Sequence, residues 1–233
     1  VSKTLVLLGA GTGLGPAIAR RFGREGFRIA LVARNRERLA DLADRLAAEG
    51  VEAAAFPADL ARPEEIPALV DAIRNRFERI DVVSYSPLDL TGFTPAADLT
   101  TATAQRLLDL YFLTPIALVQ AVLGELRDRG EGSILISQSV SATQPAPVLS
   151  GIGPAMAATR NYLQSLSAEI APDGVYAATL QIGAMIRGSA VDAALRSGAI
   201  EPNSEFPEID PADLAETLWE MHAKRDTSDL QVP

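Results

Sequence analysis

Lys3-Thr4-Leu5-Val6-Leu7-Leu8-Gly9-Ala10-Gly11-Thr12-Gly13-Leu14-Gly15 is a short, mostly apolar run that feeds straight into four glycines at every second position. Residues 3–8 have the length and character of a buried strand. Over residues 14–24 the spacing changes to that of a helix, with Ile18, Ala19 and Phe22 along one side. Strand, glycine turn and helix start together let the backbone approach a pyrophosphate and aim free helix N–H groups at it. Gly9, Gly11, Thr12, Gly13, Leu14 and Gly15 are therefore the candidate dinucleotide-binding residues. A glycine-rich loop alone is a weak signal and also serves as an ordinary turn. The flanking strand and helix give this one its weight.

The same alternation repeats along the rest of the chain. Residues 27–33, 51–56, 80–84, 133–137 and 175–180 read as further buried strands. Asn35 is placed to cap a helix reaching about residue 49. Arg62-Pro63-Glu64-Glu65 opens another, with proline and acids in its first turn. Long helices are expected over 101–129 and 152–170, and a final one from Asp210-Pro211 to about residue 223. Residues 183–208 are mixed and irregular, as a flap or short helices would be, and 230–232 form a short edge strand. Short apolar strands alternating with helices mean βαβ units with right-handed crossovers. The expected fold is α/β, a doubly wound and mostly parallel sheet in a single domain spanning 1–233.

The end of the second strand distinguishes two cofactors. A dinucleotide site for NAD places an acid there to hold the ribose 2′-hydroxyl, whereas a 2′-phosphate calls for arginine. The sequence reads Ala33-Arg34-Asn35-Arg36, so Arg34 points to NADP(H), with Arg36 or Thr12 as helpers. Two solvated surface arginines are the plainer alternative. Asp59-Leu60 follows the third strand at the same edge, where the carboxylate either meets the adenine amino group or caps the next turn.

Composition narrows the function classes. The formal net charge is -9, so nothing neutralises a phosphate backbone and nucleic acid is not an expected partner. There is no cysteine, hence no disulfide or thiolate chemistry, and no His/Asp/Glu pattern supports a metal site. The first apolar run is far below the ~20 residues that span a bilayer and lacks a basic leader, which makes cytoplasm the expected location and a membrane an unexpected partner.

The loop Gly9 to Gly15, VARNRERL over 32–39, Asp59-Leu60 and GSILISQS over 132–139 resemble the short-chain dehydrogenase/reductase family. The similarity runs over nearly the whole chain. It implies a seven-stranded Rossmann sheet, a bound NAD(P), oxidoreductase activity, and a homodimer or homotetramer packed through the helices at 101–129 and 152–170. In that family a serine after the fifth strand positions the substrate carbonyl. A tyrosine thirteen residues later exchanges the proton, a lysine four residues further lowers the tyrosine pKa, and an asparagine in the preceding long helix supports a water relay. Ser139 matches the serine, but the tyrosine position falls on Ile152, the lysine position on Met156 and the asparagine position on Tyr111. The Asn-Asn-Ala-Gly segment is replaced by Tyr85-Ser86-Pro87-Leu88, Pro-Gly by Ile182-Gly183, and the usual threonine falls near Arg187. The binding half agrees with the family and the reaction half departs from it.

Carbonyl reduction needs a proton as well as a hydride, and a free tyrosine with a pKa near ~10 needs a cation nearby to supply it at neutral pH. Ile152 and Met156 do neither job and form one apolar patch on a helix face. Two readings are open for Tyr85 and Tyr111: displaced catalytic acids acting with Ser139, or fillers of the space left by the lost groups. Asp89 and Arg187 flank the same edge, as pocket residues or as a turn cap and a surface charge. His222 reads as a partly exposed helix residue, and Tyr162 as core or interface. Ile152, Met156, Pro87, Leu88 and Ile182 point to a small hydrophobic metabolite as ligand. The functions consistent with these residues are an atypical NADP(H)-dependent oxidoreductase, a non-redox cyclase, dehydratase or isomerase on the same scaffold, and a catalytically inactive dinucleotide-binding partner protein.

Overall fold

The computed structural model describes residues 2–198 and 207–233. In chain order the elements are β1 (Thr4–Leu8), α1 (Leu14–Arg24), β2 (Arg28–Ala33), α2 (Arg36–Ala48), β3 (Ala53–Pro57), α3 (Ile66–Phe77) and β4 (Val82–Tyr85). Then come α4 (Thr101–Leu108), α5 (Thr114–Arg129), β5 (Gly132–Ser139), α6 (Ile152–Ile170), β6 (Val175–Ile182) and β7 (Met185–Ile186). α7 (Ala190–Arg196), β8 (Glu208–Ile209), α8 (Pro211–Lys224) and β9 (Asp229–Val232) complete them. β3-β2-β1-β4-β5-β6-β9 form one sheet in which every pairing is parallel. The chain reverses its direction of winding between β1 and β4, which opens a crevice at their carboxyl ends.

The strands alternate between two cores. Leu5 and Leu7 pack with Ile18, Phe22, Leu42 and Leu218 on one face. Val6 and Leu8 pack with Val70, Val119 and Leu163 on the other. Burial of both faces is why these strands read as continuous apolar runs. Asn35 caps α2, its Oδ1 accepting from the Arg38 N–H at 2.9 Å, and Asp210 caps α8 through the Ala212 N–H at 2.9 Å.

Three expectations need correction. The helix at 101–129 is interrupted by a π-helical turn at Asp109–Leu113. It is long and apolar enough by composition to cross a membrane, but Leu107, Leu118 and Leu126 are spent against the sheet. Pro63–Glu65 makes a 3-10 turn, and α3 proper begins at Ile66. His222 is buried, 9% exposed, because α8 lays it against Phe22, Phe27 and Trp219. The expected flap at 183–208 contains β7 and α7, with β7 pairing β8, while residues 199–206 lie outside the described residues.

Candidate dinucleotide and reaction site

The glycine loop is shaped by what surrounds it. Gly9 has φ +100°, and a Cβ there would stand 2.6 Å from the Ser86 carbonyl as β4 exits the sheet. Gly13, at φ +73°, turns the chain into α1 without any side-chain cap or first-turn acid. The first N–H groups of α1 are left for an outside acceptor. Beside Gly9 the Ser86 hydroxyl is buried without a hydrogen-bond partner among the described residues, as are those of Ser84 on β4, Ser137 on β5 and Ser141 just after it. An uncapped helix start next to orphaned hydroxyls at a strand-exit crevice fits a phosphate-bearing polar cofactor.

Arg34 is exposed just beyond β2, as expected from its register. Asp59 takes the turn-capping role, its Oδ1 accepting from the Ala61 N–H at 3.1 Å. Leu60 is buried, and its carbonyl accepts from the Thr114 hydroxyl at 2.7 Å. A cleft of about 380 Å³ opens between Gly11, Thr12, Gly13 and Pro16 on one side and Arg38, Asp41 and Arg45 on the other. The two arginines were missed as site residues; their seven-residue spacing on a helix that starts beside Arg34 is the signal that finds them.

Two of the positions that the resemblance assigns to the reaction, Ile152 and Met156, are buried. Ser139 ends β5 half-buried, its Oγ accepting from the Ser141 N–H at 3.1 Å. Ile152 is 2% exposed and Met156 5%. A Cβ at Gly92 would lie 2.8 Å from Ile152 Cγ1, and one at Gly151 2.6 Å from Leu107 Cδ1. The loop after β4 is held down there by a bridge between Thr94 and Leu149. Ile152, Met156 and Ile182 are thus interior packing, and of the expected apolar patch only Leu88 is exposed, with Pro87 half-buried.

Tyr85 and Tyr111 are both buried. Tyr85 is 1% exposed and its hydroxyl donates to the Leu110 carbonyl inside the π turn. Burial pushes its pKa well above the ordinary value. The Thr159 hydroxyl donates to the Tyr111 carbonyl in the same turn. The Tyr111 hydroxyl accepts from the Asp89 N–H at 2.9 Å, and burial raises its pKa too. Asp89 caps a turn, accepting from the Thr91 N–H at 2.9 Å, and pairs with Arg106. Arg187 pairs with Asp210 at 2.6 Å. Gln138, next to Ser139, is buried and donates to Gln181 at 3.3 Å.

The short chain dehydrogenase family pattern matches residues 3–197. An uncharacterized oxidoreductase of Staphylococcus aureus (strain MW2) is 27% identical over 216 residues, 93% of this chain and 89% of that protein. The structure of L-sorbose reductase from Gluconobacter frateurii complexed with NADPH and L-sorbose is similar with a TM-score of 0.84 at 25% identity, covering 99% of this chain and 95% of that one. An alcohol dehydrogenase from the archaeon Thermococcus sibiricus, complexed with 5-hydroxy-NADP, gives a TM-score of 0.80 at 25% identity, covering 100% and 95%. With a parallel seven-stranded sheet, a glycine loop at its switch point and a family pattern covering most of its length, the chain belongs to the short chain dehydrogenase family.

Proposed function

We propose that the chain is an NADP(H)-binding oxidoreductase with an altered reaction half, acting on a carbonyl or hydroxyl metabolite; the hydrophobic ligand expected from the sequence loses its support, because Ile152, Met156 and Ile182 are interior. The observation that carries this reading is the uncapped start of α1 behind Gly9–Gly15, with Arg34 standing at the end of β2 where an acid would select NAD. The NADPH and 5-hydroxy-NADP held by the two similar structures support the choice of cofactor. When bound, such a cofactor supplies or accepts a hydride. The α1 N–H groups would hold its pyrophosphate and Arg34 would neutralise the 2′-phosphate. Ser139 Oγ, half-buried at the end of β5, would donate to the substrate oxygen. Ile152 and Met156 have no proton to give, so the proton at that oxygen is drawn from solvent.

The packing of Gly92 and Leu107 onto Ile152 favours a second reading, a dinucleotide-binding partner protein without turnover. NADPH oxidation with a panel of small aromatic and aliphatic ketones separates the two. Slow but measurable turnover supports the oxidoreductase, and tight NADPH binding with no turnover of any carbonyl or alcohol supports the partner protein. Absence of dinucleotide binding overturns both.

A further inference from the structure

Gln138, Gln181, Thr179 and Asp229 form a hydrogen-bonded polar row inside the reaction half. Gln138 on β5 stands abreast of Gln181 on β6, and Thr179 on β6 abreast of Asp229 on β9. Gln138, Thr179 and Gln181 are buried. The Gln138 Nε2 donates to Gln181 Oε1 at 3.3 Å, and the Gln181 Nε2 donates to Asp229 Oδ1 at 3.2 Å. The Thr179 hydroxyl donates to the same Oδ1 at 2.5 Å, and Arg160 on α6 donates from its Nε to Oδ2 at 3.0 Å. The network joins β5, β6, β9 and α6.

The charge at one end sets the direction of every bond. A carboxylate only accepts, so Gln181 turns its amide nitrogen towards Asp229 and its Oε1 towards β5. Gln138 must then donate, which leaves its own Oε1 as the free end of the row. That oxygen has no partner among the described residues and is not sealed from solvent, unlike the hydroxyl of Ser137 next to it. Ile134 and Ile136, on the same side of β5, lie in the core that includes Met156 and Leu163 of α6. With α6 covering that face below, the side left open is the carboxyl edge of the sheet, one residue short of Ser139.

We propose that Gln138 determines specificity, its Oε1 accepting a hydrogen bond from a hydroxyl of the substrate, which makes the favoured substrate a hydroxylated carbonyl compound. The inference rests on the oxidoreductase reading above and names its substrate class. Ser139 would donate to the carbonyl oxygen, and Gln138 takes the hydroxyl from the other side of the strand end. Gln181 and Asp229 are positioning residues, which hold the Gln138 amide with its acceptor outward. A connected network with a fixed charge at one end keeps that single orientation. An apolar group or a methyl ether has no hydrogen to offer the acceptor and leaves it unpaired.

The test is ligand-observed NMR titration of the full chain, with NADP+ present, using hydroxyacetone, 4-hydroxy-2-butanone and the methyl ether of each. NADPH oxidation by the same four ketones is measured beside it. Gln138→Met keeps the side-chain volume and removes the acceptor. Asp229→Asn introduces a donor that can meet Gln181 Oε1 and turn both amides round, so that Gln138 offers an N–H outward. In the unmodified chain at least one hydroxy ketone should bind about fivefold more tightly than its ether, and each variant should bring that pair within about twofold. If Gln138→Met does not fold, Asp229→Asn carries the test. Equal binding of ketone and ether by the unmodified chain, no binding of any of the four, or a preference that survives in the folded variants overturns the inference. A purely structural row would lower the melting temperature and leave the preference in place. NADPH oxidation without any preference for the hydroxy ketones overturns the inference while the oxidoreductase reading survives. A preference in binding that Gln138→Met abolishes, with no NADPH oxidation, upholds the contact and overturns the oxidoreductase reading.

Discussion

The Tyr85 hydroxyl donates to the Leu110 carbonyl across the core. Leu110 lies in the π turn that breaks the long helix, and the next carbonyl, of Tyr111, is bound by Thr159 from α6. A π turn departs from the regular helical ladder, and here two side-chain hydroxyls satisfy its carbonyls. Tyr111 then uses its own hydroxyl to hold Asp89 in the loop that covers Ile152. The two tyrosines thus fix the shape of the reaction half from inside.

Tyr85→Phe should therefore act on stability. Removing the hydroxyl leaves a buried carbonyl without its donor, at a cost of about 1–3 kcal/mol. Urea unfolding should show that loss while NADPH affinity stays within about twofold. Abolished turnover with unchanged stability would instead make Tyr85 an acid.

Restoring the family's reacting pair should not restore its reaction. Ile152→Tyr enlarges a side chain already against Gly92, and Met156→Lys puts a cation into an apolar interior. Overpacking costs about 1–3 kcal/mol, and desolvation opposes the lysine charge. The double variant should be less stable and gain little ketone reduction. Adding Tyr111→Asn should raise its activity more than the same change does in the unmodified protein, because members of one network are not additive. Rapid ketone reduction by the unmodified protein would contradict this.

Acid should weaken the fold through His222. Its Nδ1 lies 2.8 Å from Ser133 Oγ, and burial, assisted by the Arg225 and Lys3 charges, holds its pKa down at about 4. In the unfolded chain the imidazole takes a proton near pH 6.5, while the folded one resists until about 4. This contribution is complete above pH 6.5 and is lost as the pH falls towards 4. Between pH 7 and 5 it amounts to roughly 2 kcal/mol. Urea unfolding at those two pH values should show the loss, and His222→Gln should remove most of it; an identical pH slope in the variant would rule His222 out.

Self-association should run through the long helices by a narrower surface than the sequence offers. Leu107, Leu118 and Leu163 are buried within one chain, whereas Phe112 is half-buried, edge to face with Tyr162 at 6.4 Å, and Leu113 is exposed. Phe112→Asp should lower the sedimentation mass at micromolar concentration to that of one chain. A one-chain mass for the unmodified protein would contradict the expectation.

How far the sequence could be read depended on range. The parallel sheet was legible because its central strands are buried apolar runs, and the limits of α2 and α8 were legible because those helices carry their own caps at Asn35 and Asp210. The glycine loop was legible because strand, turn and helix are contiguous. The tyrosines were ambiguous because their roles depend on Leu110 and Asp89, partners 25 and 22 residues away in the chain. His222 was misread because its burial comes from Phe22 and Phe27, at the far end of the sequence. The cleft of Arg38 and Arg45 appears only once α2 is set beside the glycine loop.

The most direct measurement is isothermal titration with NADPH and NADH for the unmodified chain and Arg34→Ala. NADPH should bind at least about tenfold more tightly than NADH, a gap of ~1.4 kcal/mol. Arg34→Ala should remove much of that difference and leave NADH nearly unchanged. Equal affinities for the two dinucleotides, or no binding of either, would contradict the assignment of this chain as an NADP(H)-binding protein.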